Sequence, residues 1–256
     1  MALFLDDLNN SINEDLLKEL KQVGATVYSL NEIAPYWTGL KINKDMFSRH
    51  HEKAVISDDT AIVGSSNVAD LYSGPLYGTN DFLDLNVYMK NICLKDLRHM
   101  FKGIADKYNI RLDAELSNEE IVKKLDEEFK DSIFNLDNVQ LLRTIQPYKR
   151  DINDFLLRQI KAAKKSIYIV QPYYYPMKKV ETAIAEALER GVHVEVLTAA
   201  KRDPPALKPV SNYLMMQKLI NKGLKVYELS DKFLHMKVYQ FDDEIYTMGK
   251  RLLELS

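Results

Sequence analysis

One short pattern occurs twice in this 256-residue chain and constrains it more than any other feature. His51-Glu52-Lys53 is followed by Asp58, and His235-Met236-Lys237 by Asp242, so both copies read His-x-Lys-x4-Asp. The stretch leading to each copy is also repeated. Leu17 to Leu30 and Met216 to Leu229 both read as helix, glycine stop at Gly24 or Gly223, and strand. Repetition of a supersecondary unit implies two pseudo-symmetric halves, each offering one motif to a shared cleft. A His-x-Lys pair has chemical sense on a strand, because side chains two residues apart share a face. After the first copy comes Gly64-Ser65-Ser66-Asn67; after the second, Gly249 is followed by Lys250 with no Ser or Asn pair. Five residues separate Asp58 from Gly64 and six separate Asp242 from Gly249.

Strands alternate with helices along the chain. Ala2–Leu5, Ala25–Leu30, the pair Val55–Ile56 and Ala61–Val63, Leu83–Tyr88, Ser166–Val170, Val192–Leu197 and Leu224–Leu229 have strand character. Helices are expected from Ser11, with Leu16, Leu17, Leu20 and Val23 as its apolar face, and over 94–108, 153–164, 178–190 and 212–221. This alternation defines an α/β architecture with a mixed sheet flanked by helices. Residues 1–110 make the first half, 111–145 an acidic helical connector, and 146–256 the second half. Matched against the second half, the first lacks an opening strand and helix, and the second stops soon after Gly249. The chain is therefore expected to be truncated at both ends, with a natural minimal variant as the alternative.

Composition narrows the function. A net charge of −2 gives no general attraction to nucleic acid or to an anionic membrane. One cysteine, Cys93, excludes an intramolecular disulfide and is expected to be buried apolar filler. Neither motif offers the paired His or Cys spacing that tetrahedral zinc prefers, so no metal or other cofactor is expected. No run of about 18 apolar residues is present to span a bilayer. A phosphodiester can be cleaved without a metal by a neutral imidazole nucleophile, cations on the phosphoryl oxygens, and an acid for the leaving group. The two motifs supply those groups.

The doubled motif resembles the signature of the phospholipase D superfamily. Leu5-Asp6-Asp7, Arg49 to Lys53, Gln171 to Pro176 and Arg190 to Val194 are similar to segments of cardiolipin synthases. The resemblance implies two phospholipase D-like halves and a phosphatidyltransferase that moves a phosphatidyl group between phospholipids through a phosphohistidine. It implies His51 as nucleophile and His235 as acid/base, with the exchanged assignment open. Lys53 and Lys237 would grip the phosphate, joined by Ser65 and Asn67, and Asp58 and Asp242 would support the histidines or the charge balance. Substrates would be phosphatidylglycerol or a similar phospholipid, met at a peripheral membrane surface or through an N-terminal anchor outside this chain. The alternatives are a phospholipase D or nuclease of the same superfamily, and an inactive family member in which the missing second Ser/Asn pair abolishes turnover. Nucleic acid is not the expected partner.

Overall fold

The structure is a computed structural model that describes residues 1–6, 14–30, 51–68, 72, 82–111, 142, 144–145, 149–174, 176–200, 216–243 and 245–248. His50, the Ser11 cap, the connector from 112 to 141, the proline-rich stretch 201–215 and the segment from Gly249 onward lie outside them. The chain divides into two compact units that do not follow chain order. The first comprises 1–52, 56–60 and 90–141, the second 53–55, 61–89 and 142–256.

In the first unit, β1 (Ala2–Asp6), α1 (Glu14–Gln22) and β2 (Thr26–Leu30) form a right-sized β-α-β unit, with β1 and β2 parallel from Ala2↔Thr26 to Asp6↔Leu30. Gly24 ends α1 at φ 79°, a left-handed conformation that a side chain disfavours. The helix forms where its periodicity places it. However, none of its side chains is buried, and Val23 just beyond it is 76% exposed. Helix α2 (Leu94–Lys107) buries Leu97 and Ala105 and stacks Phe101 on Phe4, with ring centroids 4.3 Å apart. Cys93, expected to be apolar filler, is only half-buried, because it caps α2 in a left-handed conformation (φ 55°) instead of entering the core.

The second unit holds the main core. Strands β9 (Ser166–Val170), β10 (His193–Ala199), β11 (Lys225–Leu229), β13 (Val238–Phe241) and β14 (Ile245–Met248) form one sheet in the order β11-β10-β9-β13-β14. β9, β10 and β11 are parallel, whereas β13 runs antiparallel to β9 and to β14. The sheet is therefore mixed, as the strand–helix alternation requires. Helices α3 (Asp151–Ala162) and α4 (Lys178–Glu189) close the buried face. Val180, Ala183, Ile184 and Ala187 recur at helical spacing and meet Ile167, Ile169, Val194 and Val196, which alternate inward along their strands. Each fully buried Ile contributes roughly 1.5–3 kcal/mol relative to exposure. The repeat read from the sequence has a structural counterpart. Gly223 (φ 104°) precedes β11, which pairs in parallel with β10 just as β2 pairs with β1.

Smaller assemblies position the site. β3 (Ala54–Ile56), β4 (Thr60–Gly64) and β6 (Asn86–Lys90) form a sheet in the order β3-β4-β6. The continuous strand expected over Leu83–Tyr88 is broken at Asp84-Leu85. Its first part, β5 (Phe82–Leu83), leaves that sheet and pairs in parallel with β12 (Phe233–Leu234), with Phe82↔Phe233 and Leu83↔Leu234. A short hairpin, β7 (Thr144–Ile145) and β8 (Lys149–Arg150), precedes α3.

Candidate active site

The β5–β12 ladder delivers the second-motif histidine. His235 follows β12 directly, and its backbone N–H donates to the Leu83 carbonyl at 2.8 Å. The residue after Leu83 is Asp84, set free by the break between β5 and β6. Its carboxylate Oδ2 lies 2.7 Å from His235 Nδ1. That side chain is only 4% exposed and His235 is 14% exposed. An ionised carboxylate accepts and cannot donate, so Nδ1 carries the proton. Lys237 Nζ stands 3.0 Å from the other ring nitrogen, Nε2. Lys237 is 5% exposed and also donates to the His235 carbonyl.

Asp84 is fully occupied. Its Oδ1 accepts the Ser65 hydroxyl and the Leu85 backbone N–H, the latter at 2.8 Å. Burial pushes the Asp84 pKa upward, but hydrogen bonds from His235, Ser65 and Leu85, with the His235 charge, outweigh it and hold the carboxyl below its ordinary value. The balance favours the anionic form of Asp84.

Ser65 reaches Asp84 because the chain turns tightly after β4. Its backbone N–H donates to Leu85 O at 3.3 Å, and its side chain is buried. Gly64 makes this approach possible: a Cβ there would sit 2.7 Å from the Asn86 Cα. Asn86 Nδ2 in turn donates to Ser66 Oγ at 2.9 Å. The next motif member, Asn67, donates through Nδ2 to the Tyr72 hydroxyl at 3.1 Å. Tyr72 meets the His235 ring edge to face, with centroids 5.4 Å apart. Phe82 and Phe233 stand 6.1 and 6.3 Å from the same ring.

Of the residues expected from the sequence, Ser65, Asn67, His235 and Lys237 converge here. Ser65 differs from expectation in one respect. Its single hydroxyl proton goes to Asp84, which leaves none to grip a phosphate. Asp242 also differs. It is separated from Lys237 by the four residues of β13, about 13 Å of strand. Its carboxylate accepts the backbone N–H groups of Lys164, Lys165 and Ser166 at 2.8, 2.7 and 3.0 Å. Desolvation raises the Asp242 pKa, and these three hydrogen bonds outweigh it, so the net shift is downward. The support Asp242 gives is to the α3–β9 turn and not to the imidazole. Lys53 enters the second unit at the foot of β3, where its carbonyl accepts the Gly64 N–H at 3.2 Å.

His51 and Asp58 belong to the first unit. His51 is half-buried, and its backbone N–H donates to Glu52 Oε2 at 3.0 Å. Asp58 is exposed in the β3–β4 turn, whose carbonyls at Ser57 and Asp58 accept Arg98 Nη2 at 3.0 and 2.5 Å. The residues not found from sequence are Asp84, Tyr72, Phe82 and Phe233. Asp84 did carry a signal, as an acid set within the apolar run Phe82-Leu83-Asp84-Leu85. The aromatic residues carried none.

A family model described as "Cardiolipin synthase, PLD-like domain" matches residues 156–250, which include His235, Lys237 and Asp242. Over that segment the chain is similar to phospholipase D-like domains. Among curated proteins, the resemblance is to cardiolipin synthases. It is 26% identical over 252 residues to a cardiolipin synthase of Halalkalibacterium halodurans, covering 95% of this chain and 46% of that protein. It is 24% identical over 265 residues to one of Clostridium perfringens, covering 100% of this chain and 52% of that one. The chain thus spans about half the length of these curated relatives. Among solved structures, phosphatidylserine synthase of Haemophilus influenzae shares the fold, with a TM-score of 0.53 and 16% identity over 94% of this chain and 71% of that one.

Proposed function

We propose that the chain is a phosphatidyltransferase of the cardiolipin synthase type, acting on phospholipids through a phosphohistidine on His51. The observation that carries this reading is the buried Asp84–His235 pair, with Lys237 at the second ring nitrogen and Ser65 fixing the carboxylate. A histidine whose Nδ1–H is held by a buried anion is a general acid/base with a fixed tautomer and a stabilised imidazolium.

In the proposed reaction, neutral His51 attacks phosphorus and the P–O bond to the headgroup alcohol breaks. The imidazolium of His235 gives its Nε2 proton to the departing oxygen. The resulting neutral His235 keeps its Nδ1–H directed at Asp84. It then takes a proton from the acceptor hydroxyl, whose oxygen attacks phosphorus and releases His51. Proton and bond counts close over the cycle, so no cofactor is called for. Lys53, Lys237 and Asn67 are assigned to the phosphoryl oxygens, Ser65 and Asp84 to His235, and Asp58 and Asp242 to their turns. Phosphatidylglycerol is the proposed acceptor, and the protein would meet it at a membrane surface. No helix among the described residues is long and apolar enough to cross a bilayer.

The test is incubation of the purified chain with labelled phosphatidylglycerol in mixed micelles. Cardiolipin and glycerol are expected, and their formation should vanish in His51→Asn. Phosphatidic acid alone would place the chain with the hydrolases of its superfamily. Absence of any product would contradict the proposal.

A further inference from the structure

We propose that Tyr72 is a positioning residue that couples the Gly-Ser-x-Asn turn of the first motif to the histidine of the second. Its reach is set by two contacts of different kinds. The phenol oxygen accepts Asn67 Nδ2 at 3.1 Å, and the ring meets His235 edge to face at 5.4 Å, with an interplanar angle of 73°. A third contact fixes the ring itself: Phe82 lies against Tyr72 at 4.7 Å and against Phe233 at 4.6 Å. Phe82 and Phe233 are register partners in the β5–β12 ladder, so the stack is anchored on backbone pairing.

Polar and aromatic contacts act together on His235. Asp84 holds Nδ1 and Lys237 Nζ stands 3.0 Å from Nε2, contacts that leave the ring free to swing about the line joining them. The Tyr72 edge restrains that swing, and aromatic pairs of this geometry contribute specifically beyond the area they bury. Among the described residues, the polar and charged groups facing His235 are Asp84 from the β5–β6 link, Lys237 from the foot of β13, and Tyr72 itself. On the other side, the phenol gives Asn67 a defined amide orientation, which an unpartnered amide on an exposed turn would lack. Tyr72 is in this way the link between an arm aimed at phosphate and the acid/base. The catalytic part of the inference rests on the phosphodiester-transfer reading; the structural part does not.

The experiment separates the two. Ring nitrogens of 15N-histidine-labelled chain are titrated by NMR, with the His235 signals assigned by their loss in His235→Asn. Tyr72→Ala is expected to move the His235 midpoint by about 0.3 pH unit or more, through changed solvation and geometry of the charged ring. Tyr72→Phe keeps the ring and should restore it. With a phosphodiester substrate, both variants should raise KM about threefold or more, since both release Asn67, and a roughly tenfold fall in kcat should be confined to Tyr72→Ala. If Tyr72→Ala does not fold, Tyr72→Leu keeps the apolar bulk and takes its place. A His235 midpoint within 0.3 unit of wild type in the Ala or Leu variant, or no restoration by Phe, would overturn the proposal. A shifted midpoint in a chain that turns over no phosphodiester would uphold the positioning role while refuting the catalytic reading.

Discussion

At the scale of single residues, Asp84 decides what His235 can do. It is buried, it accepts three hydrogen bonds, and it faces the ring nitrogen that does not react. Replacing it with Asn keeps the shape but removes the charge and lets Nδ1 lose its proton. The expected cost in kcat is about 10²- to 10⁴-fold, measured by product formation at saturating lipid. Ser65→Ala removes one bond to the same carboxylate and should cost about tenfold or less. The pH dependence has a definite sign. The Asp84 pKa is lowered on folding, so its contribution is complete above the unfolded value near pH 4 and is lost as pH falls through the folded value below it. Urea unfolding between pH 6 and pH 3 should show this loss in the wild type and less of it in Asp84→Asn.

At the scale of elements, the site depends on a strand that breaks. The alternation over Leu83–Tyr88 gives one strand, and most of its residues are indeed extended. What the pattern does not contain is that β5 pairs with β12, whose residues lie 151 positions later. Pairing at that separation is set by tertiary packing, and local periodicity carries no trace of it. The motif histidines and lysines were legible because their spacing repeats, and the Gly-Ser-x-Asn turn because it follows the first copy. Asp84 and Tyr72 were not, since each acts only through a partner on another element. The same distinction applies to Asp242. Its place in the motif suggests chemistry, yet its hydrogen bonds hold the turn before β9. Asp242→Ala should therefore lower stability by about 1 kcal/mol in thermal unfolding, because water can replace much of what these partly exposed N–H groups lose. Its kcat should fall far less than that of Asp84→Asn. Gly64→Ala should be more severe. The added Cβ meets Asn86 backbone at 2.7 Å, so β4 and β6 must separate, at a cost of about 1–3 kcal/mol.

At the scale of the whole molecule, the two units differ in how they are consolidated. The second has a continuous core in which α3 and α4 cover a five-stranded sheet, with Leu156, Ile160, Ile167 and Ile184 fully buried. The amphipathic pattern of α1 in the first unit is equally clear in sequence, but its side chains remain unburied. Periodicity therefore reported the helix and not its packing. The α/β class followed from the alternation of strands and helices, and the repeated helix–glycine–strand stretch has its counterpart in the parallel pairs β1–β2 and β10–β11. Both histidines are assigned to one reaction, and turnover should require each. A covalent intermediate tests this most directly. The chain is mixed with a phosphatidyl donor carrying 32P, quenched in base, and examined for acid-labile label on histidine. Label is expected on His51 in the wild type, none in His51→Asn, and slow, persistent label in His235→Asn, where the acid/base that completes the cycle is missing. Label that survives His51→Asn, or product formed with no labelled intermediate in any variant, would contradict the account.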